Sequence, residues 1–270
     1  MSAPENSSEI LRQTLTTEGI LRLTLNDEKR RNALSEEMLN KLIVAFQDAS
    51  SNDNVRVIII DATGPVFSAG HDLKELTAAR QNADGGKSYF TKIMDLCAKM
   101  MQSIVNCDKA VIAQVSGVAT AAGCQLVASC DLAVAADGAR FSTPGVNIGL
   151  FCSTPMVALS RNVSNKHAME MLLTGDMVPA ARAFEIGLIN KAVPLEQLED
   201  TTLELADKIL SKSRHTITIG KTAFYAQREM TLSDAYDYAA QVMVENMLTL
   251  DAEEGICAFV EKRQPAWKDQ

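Results

Sequence analysis

Polar and apolar positions change period along the chain in a repeating order. Residues 19–26, GILRLTLN, alternate as a half-buried strand does, and Leu34, Met38, Leu42, Ile43 and Phe46 then recur at helical spacing. Ser35 stands at the head of that stripe, where a hydroxyl can accept from the first free amides of a helix. Residues 55–62, VRVIIIDA, form a continuous β-branched run, the pattern of a strand covered on both faces. VFSAGHDLKEL (66–76) follows, beginning like the end of a strand and finishing like the first turns of a helix, with Ser68-Ala69-Gly70 as its hinge. A helical stretch over 88–106 sets Phe90, Ile93, Met94, Cys97, Met101 and Ile104 on one stripe. The order then repeats with AVIAQV (110–115), a Ser-Gly turn and AAGCQLVASC. Strands alternating with helices predict an α/β fold with a largely parallel sheet. From about residue 195 the pattern is helical to the end, with LEQLEDTTLELADKIL and three further stretches. A core over 1–194 and a helical oligomerisation region over 195–270 are therefore expected, because Leu198, Leu203, Leu205 and Ile209 form a stripe that a small lone layer could not bury.

Composition narrows the chemistry. No apolar run approaches the length of a membrane span, so no span is expected. The start, MSAPENSSEI, has neither an apolar core nor an Arg-rich amphipathic pattern and reads as a frayed tail. Cys97, Cys107, Cys124, Cys130, Cys152 and Cys257 form no C-x-x-C pair and lie mostly in apolar segments, which suits buried thiols in a reducing compartment and gives a cytoplasmic expectation. A net charge of −8 disfavours a nucleic-acid partner, since phosphate neutralisation needs a basic face. His71, His167 and His215 are too scattered to suggest a metal site, and no prosthetic group is expected. GKT at 220–222 lacks the upstream glycine of a phosphate-binding loop and sits in a helical context.

The two strand-turn-helix units can carry chemistry of their own. The first amides of a helix have no partner within it, and the helix dipole adds partial positive charge there. Two such starts, converging, could bind an oxyanion. Gly70 and the run Ala119–Gly123 (ATAAG) allow tight turns and a close approach of substrate to backbone; the same small residues would also serve close helix–sheet packing.

Five ordered blocks carry a resemblance: LNDEKRRNALSEEM (25–38), GPVFSAGHDLKEL (64–76), SGVATAAGCQLVASCDLAVAADGARFSTPGVNIGL (116–150), LLTGDMVPAARAFEIGLINKAVP (172–194) and EGICAFVEKRQPAW (254–267). The sequence resembles the crotonase (enoyl-CoA hydratase/isomerase) superfamily, within it the enoyl-CoA hydratase domain-containing protein 3 branch, over nearly the whole chain. The resemblance implies a ClpP-like spiral of ββα units, a C-terminal helical trimerisation region, assembly as a homo-oligomer (trimer or dimer of trimers), and an acyl-CoA thioester of fatty-acid metabolism as ligand. Coenzyme A would enter only as part of that substrate. The backbone amides of His71 and Ala122 match the two oxyanion donors. Arg30, Arg31 and Ala33, with Ala69, Asp72, Leu73 and Lys74, match segments that line the nucleotide, and Lys262 matches a phosphate-contacting lysine supplied by a neighbouring subunit.

The departures from the pattern matter as much. Hydratases of the family hold one water between two glutamates; here those positions are Gln125 and Gly145. An amide orients water but does not exchange a proton near neutral pH, and glycine has no side chain. The isomerases' alternative acid position matches Ser153. The resemblance thus implies an enoyl-CoA hydratase-like lyase lacking both usual carboxylates, a decarboxylase of malonyl-type thioesters, or a non-catalytic acyl-CoA binding subunit. A methylmalonyl-CoA decarboxylase branch also carries a histidine at the His71 position but a tyrosine at that of Cys152. The ring of His71 could act as acid or base, or cap its loop with only the backbone used. Cys152, in GLFCSTP, is either a nucleophile or a small packing residue.

Overall fold

The computed structural model describes residues 9–270, so most of the tail expected to fray lies outside the described residues. The elements in chain order are β1 (Leu11–Leu15), β2 (Ile20–Leu25), α1 (Glu36–Ser51), β3 (Val57–Ala62), β4 (Val66–Ser68), α2 (Leu73–Ala79), α3 (Lys87–Val105), β5 (Ala110–Val115), β6 (Val118–Thr120), α4 (Ala122–Ser129), β7 (Leu132–Ala136), β8 (Arg140–Ser142), α5 (Pro155–Leu159), α6 (Asn165–Thr174), β9 (Val178–Pro179), α7 (Ala180–Glu185), β10 (Lys191–Val193), α8 (Leu198–Leu210), α9 (Arg214–Gln227), α10 (Leu232–Met247) and α11 (Leu250–Glu261).

The strands form two sheets, of order β1-β2-β3-β5-β7-β10 and β4-β6-β8-β9. Their partition follows a rule: β3, β5 and β7 enter the six-stranded sheet in parallel, and the short strand after each, β4, β6 or β8, enters the other. A helix follows β4 and β6, so the repeated unit is ββα, a strand in each sheet and then a helix. Among the described residues, antiparallel pairing is confined to the β1–β2 and β8–β9 pairs.

Every residue of β5 is buried, as a strand covered on both faces requires, including Gln114, whose amide donates to Glu199. Ile58, Ile60, Val111 and Ala113 join the core beneath α1 and α3, while Val57, Ile59 and Ile112 face Ala206 on α8. Ser35 caps α1 by accepting from Met38 N. The stripe of α8 is thus used within the chain: Leu198 is buried, and Leu203, Leu205 and Ile209 pack on the sheet. Those residues cannot be the surface that assembles copies of the chain.

The helices beyond α8 differ. Neither α9 nor α10 buries a single residue, and α9 is held to the core by polar contacts. Lys221 Nζ donates to the carbonyls of Ile104 and Lys109 and to Asp131 Oδ2, and Tyr225 OH donates to Asp131 Oδ1. No helix among the described residues is long and apolar enough to cross a membrane.

Candidate active site

The site is built from two loops laid side by side. In the loop between β2 and α1, Arg31 and Asn32 take left-handed conformations, φ 55° and 51°. Asn32, fully buried, donates through Nδ2 to the carbonyls of Thr63 and Val66 and accepts from Asp27 N. This binds the loop to the segment entering the β4–α2 hinge. Ala69 N donates to Arg31 O, and Leu34 N donates to Gly70 O at 2.7 Å. The Gly70 carbonyl therefore points at Leu34, and the His71 N–H of the same planar trans peptide points the opposite way.

The second turn repeats the device. Ala121 O accepts from Gln125 N at 3.0 Å, so the Ala122 N–H across that peptide points away from α4. Ala122 opens α4, where no intrahelical partner exists for its amide. Among the described residues neither the His71 nor the Ala122 amide donates to another group. The turns touch: a Cβ placed on Gly70 (φ 84°) would lie 3.1 Å from Ala122 N, and one on Gly123 would lie 2.3 Å from Ser68 O. Only glycine allows this approach.

The side chains around the turns are largely committed. Asp72 caps α2, accepting from Lys74 N at 2.8 Å, and its other oxygen faces Arg30 at 3.7 Å. Arg30 also pairs with Asp27 at 2.6 Å. Arg31, Leu73 and Lys74 are exposed, while Ala33 is buried. Arg30, Arg31, Ala33, Ala69, Asp72, Leu73 and Lys74 thus lie together on the two adjoining loops. Lys262 caps the end of α11 at φ 57°, and among the described residues no hydrogen bond or ion pair links α11 to either loop.

The ring of His71 is enclosed, with both nitrogens buried and without hydrogen bonds. Burial pushes its pKa below the usual imidazole range, opposed by the Leu34 carbonyl and the Glu75 carboxylate, so the ring is neutral at pH 7. Glu75 accepts from Tyr89 OH at 3.0 Å and from Glu36 N at 3.1 Å. A depressed histidine pKa costs stability in acid: as pH falls below about 6.5 the unfolded chain binds the proton first, until the folded ring also protonates. Thermal melts between pH 8 and 5 are accordingly expected to fall at the acid end, and His71→Gln to flatten that fall, with a difference between the proteins that does not change with pH above 7.

Gln125 is buried on α4, its Oε1 at 4.0 Å from Cys97 Sγ, and burial pushes that thiol up to about 12, so it stays protonated. Gly145 donates its N–H to Cys152 Sγ at 3.3 Å. A Cβ there would meet Leu150 O at 2.6 Å and the same sulfur at 2.9 Å. Burial raises the Cys152 pKa, so the thiol is a packing group beside Gly145 and no activated nucleophile. Among the described residues no cluster of His, Cys, Asp or Glu could hold a metal ion. The chemistry on offer is the binding of developing negative charge by two amides, beside an amide side chain and a neutral imidazole. Sequence reasoning did not single out Glu75 or Tyr89; only the convergence of three helix starts, α1, α2 and α3, brings them together.

The enoyl-CoA hydratase/isomerase family matches residues 16–270. Rat enoyl-CoA hydratase domain-containing protein 3, mitochondrial, is 48% identical over 266 residues, 98% of this chain and 87% of its own. The crystal structure of the human protein of that name superposes with a TM-score of 0.90 at 46% identity, covering 96% of this chain and all of the other. That of an enoyl-CoA hydratase from Mycobacterium smegmatis gives 0.92 at 45% identity, over 96% and 99% of the two chains. The rat, mouse and human relatives are all named mitochondrial, which overturns the cytoplasmic expectation. Buried free thiols report a reducing environment and no particular compartment, and the polar start gave no ground for choosing one. With a family match over residues 16–270, relatives 48% identical over nearly the whole chain and the overall shape of these solved structures, the chain belongs to the enoyl-CoA hydratase/isomerase family.

Proposed function

We propose that the protein binds acyl-CoA thioesters of fatty-acid metabolism, with the thioester carbonyl between the amides of His71 and Ala122, and acts as an enoyl-CoA hydratase-like lyase through groups other than the usual carboxylates. The observation that carries this reading is the pair of unpartnered amides on two touching turns. Preorganised donors of this kind are worth about 2.7–4 kcal/mol each where enolate charge develops. Gln125 orients a water through its amide, and the neutral ring of His71 is the nearest titratable group to a donor. Arg30, Arg31 and the 69–74 loop receive the nucleotide. Lys262 completes the phosphate contacts from a neighbouring subunit of a trimer or dimer of trimers, in keeping with the absence, among the described residues, of any hydrogen bond or ion pair between α11 and the loops of its own chain. Coenzyme A is part of the substrate, and the reading requires no prosthetic group.

Decarboxylation of a malonyl-type thioester is the second reading, favoured by the absence of a carboxylate at positions 125 and 145. The C–C bond breaks, its electron pair enters the enolate held by the two amides, carbon dioxide leaves, and solvent supplies the proton to the α-carbon. No base is required. Incubating purified protein with enoyl-CoA and with malonyl-type thioesters, while calorimetry follows CoA binding, separates these readings: turnover of one class selects between them, and binding without turnover leaves a non-catalytic acyl-CoA carrier. Lys262→Ala is expected to weaken CoA binding about tenfold, the scale of one charge-assisted phosphate contact. Unchanged affinity would remove that lysine from the site.

A further inference from the structure

Ala121 stands at φ 50°, ψ −120°. That is the conformation of the first central residue of a type II′ turn, a position dominated by glycine because a side chain there crowds the backbone. Such strain persists only where the surroundings over-determine it. Here they do: Ala121 N donates to Ser142 O at 2.9 Å, and Ala121 O accepts from Gln125 N at 3.0 Å. Glycine would make both hydrogen bonds without strain. The bonds therefore explain how the conformation is held, and leave open why alanine occupies it.

The neighbouring turn supplies the reason. A Cβ placed on Gly70 would come within 2.9 Å of the Ala121 methyl, closer than to any other atom. The methyl of one turn thus sits in the space left by the glycine of the other, between the peptide that carries the His71 donor and the peptide that carries the Ala122 donor. We propose that Ala121 is a positioning residue of the oxyanion hole, its methyl spacing the two donor turns so that their separation is fixed before substrate arrives. Preorganised donors act because they do not have to reorganise as charge develops. The inference rests on the thioester reading above and adds to it a residue that touches neither substrate nor reacting atoms.

The test compares acetyl-CoA with S-ethyl-CoA, a thioether in which a methylene replaces the carbonyl, so the ratio of their affinities reports the oxyanion hole alone. The wild type is expected to prefer acetyl-CoA. Ala121→Gly is expected to cut that preference about three- to tenfold, the scale of a weakened hydrogen bond, and to leave S-ethyl-CoA binding unchanged. Its melting temperature is expected to rise by about 2–4 °C as strain is relieved. Stability and carbonyl recognition moving in opposite directions is what a purely structural role would not produce. Ala121→Ser keeps a Cβ and is expected to keep the preference. A glycine variant with undiminished preference, a serine variant as impaired as glycine, or a glycine variant weakened equally toward both ligands would each overturn the spacer role. A wild type with no preference would overturn the oxyanion reading itself, and this inference with it.

Discussion

Crotonyl-CoA is expected to be hydrated by the purified protein at least about 10⁴-fold more slowly than by a family hydratase with a carboxylate at both positions, since each positioned acid–base group supplies about 10²–10⁴ in rate. Restoring the two groups is not a matter of two substitutions. Gln125→Glu has space at the end of an existing side chain. Gly145→Glu does not: its Cβ would lie 2.6 Å from the Leu150 carbonyl, a backbone atom, and 2.9 Å from Cys152 Sγ. Gly145 lies outside the left-handed region, so the obstacle is space and not backbone conformation. Even Gly145→Ala is expected to lower stability by about 1–3 kcal/mol, the usual cost of overpacking, read by thermal melt. Gln125→Glu alone is expected to leave hydration near baseline, because the two carboxylates act as a unit on one water. The unmodified protein hydrating crotonyl-CoA at an ordinary rate would show that the groups proposed to act in their place, His71 first, supply as much rate as two carboxylates do.

Dissociation is the second large effect expected. Light scattering at micromolar concentration should give a trimer or hexamer, and Phe259→Asp with Val260→Asp should shift the protein to monomer. Phe259 and Val260 on α11 are 86% and 74% exposed, and Leu232, Tyr236 and Met243 on α10, with Leu248 at its end, are exposed too. Helices without buried residues are marginal in water and take most of their stability from packing. A partner that covers them regains about 1.5–3 kcal/mol for each large apolar side chain buried. Neither substituted residue is buried in its own chain, so circular dichroism should report an intact core in the dissociated variant. A wild-type monomer would remove the neighbouring subunit from which Lys262 is expected to reach the nucleotide.

The long elements were legible where one physical requirement dominated the local sequence. VRVIIIDA and AVIAQV had to be strands covered on both faces, and Ser35 had to cap the helix that follows it. The second sheet was not legible: β4, β6 and β8 have three residues each, too few to establish a period of two. The stripe on α8 was read correctly as apolar and assigned the wrong partner. Amphipathicity states that a face must be covered, and is silent on whether the cover is the chain's own sheet or a second copy.

By itself the sequence determined the alternation of strands and helices and the two glycine-hinged helix starts, since these depend on residue type and spacing along the chain, while only the resemblance to the family singled out Gln125 and Gly145. The tertiary structure decided what those residues face. It directed the His71 and Ala122 amides outward by tying the carbonyls of the same peptides to Leu34 and Gln125, and buried both nitrogens of the His71 ring. It also filled the space beside Gly145 with Cys152 and set Ala121 in a backbone conformation that alanine does not adopt by preference. The Leu34–Gly70 and Gly70–Ala121 contacts join segments far apart in sequence, and even the short-range ones, Ala121 with Gln125 and Gly145 with Cys152, depend on turns that the closing of the two sheets and their helices holds in place.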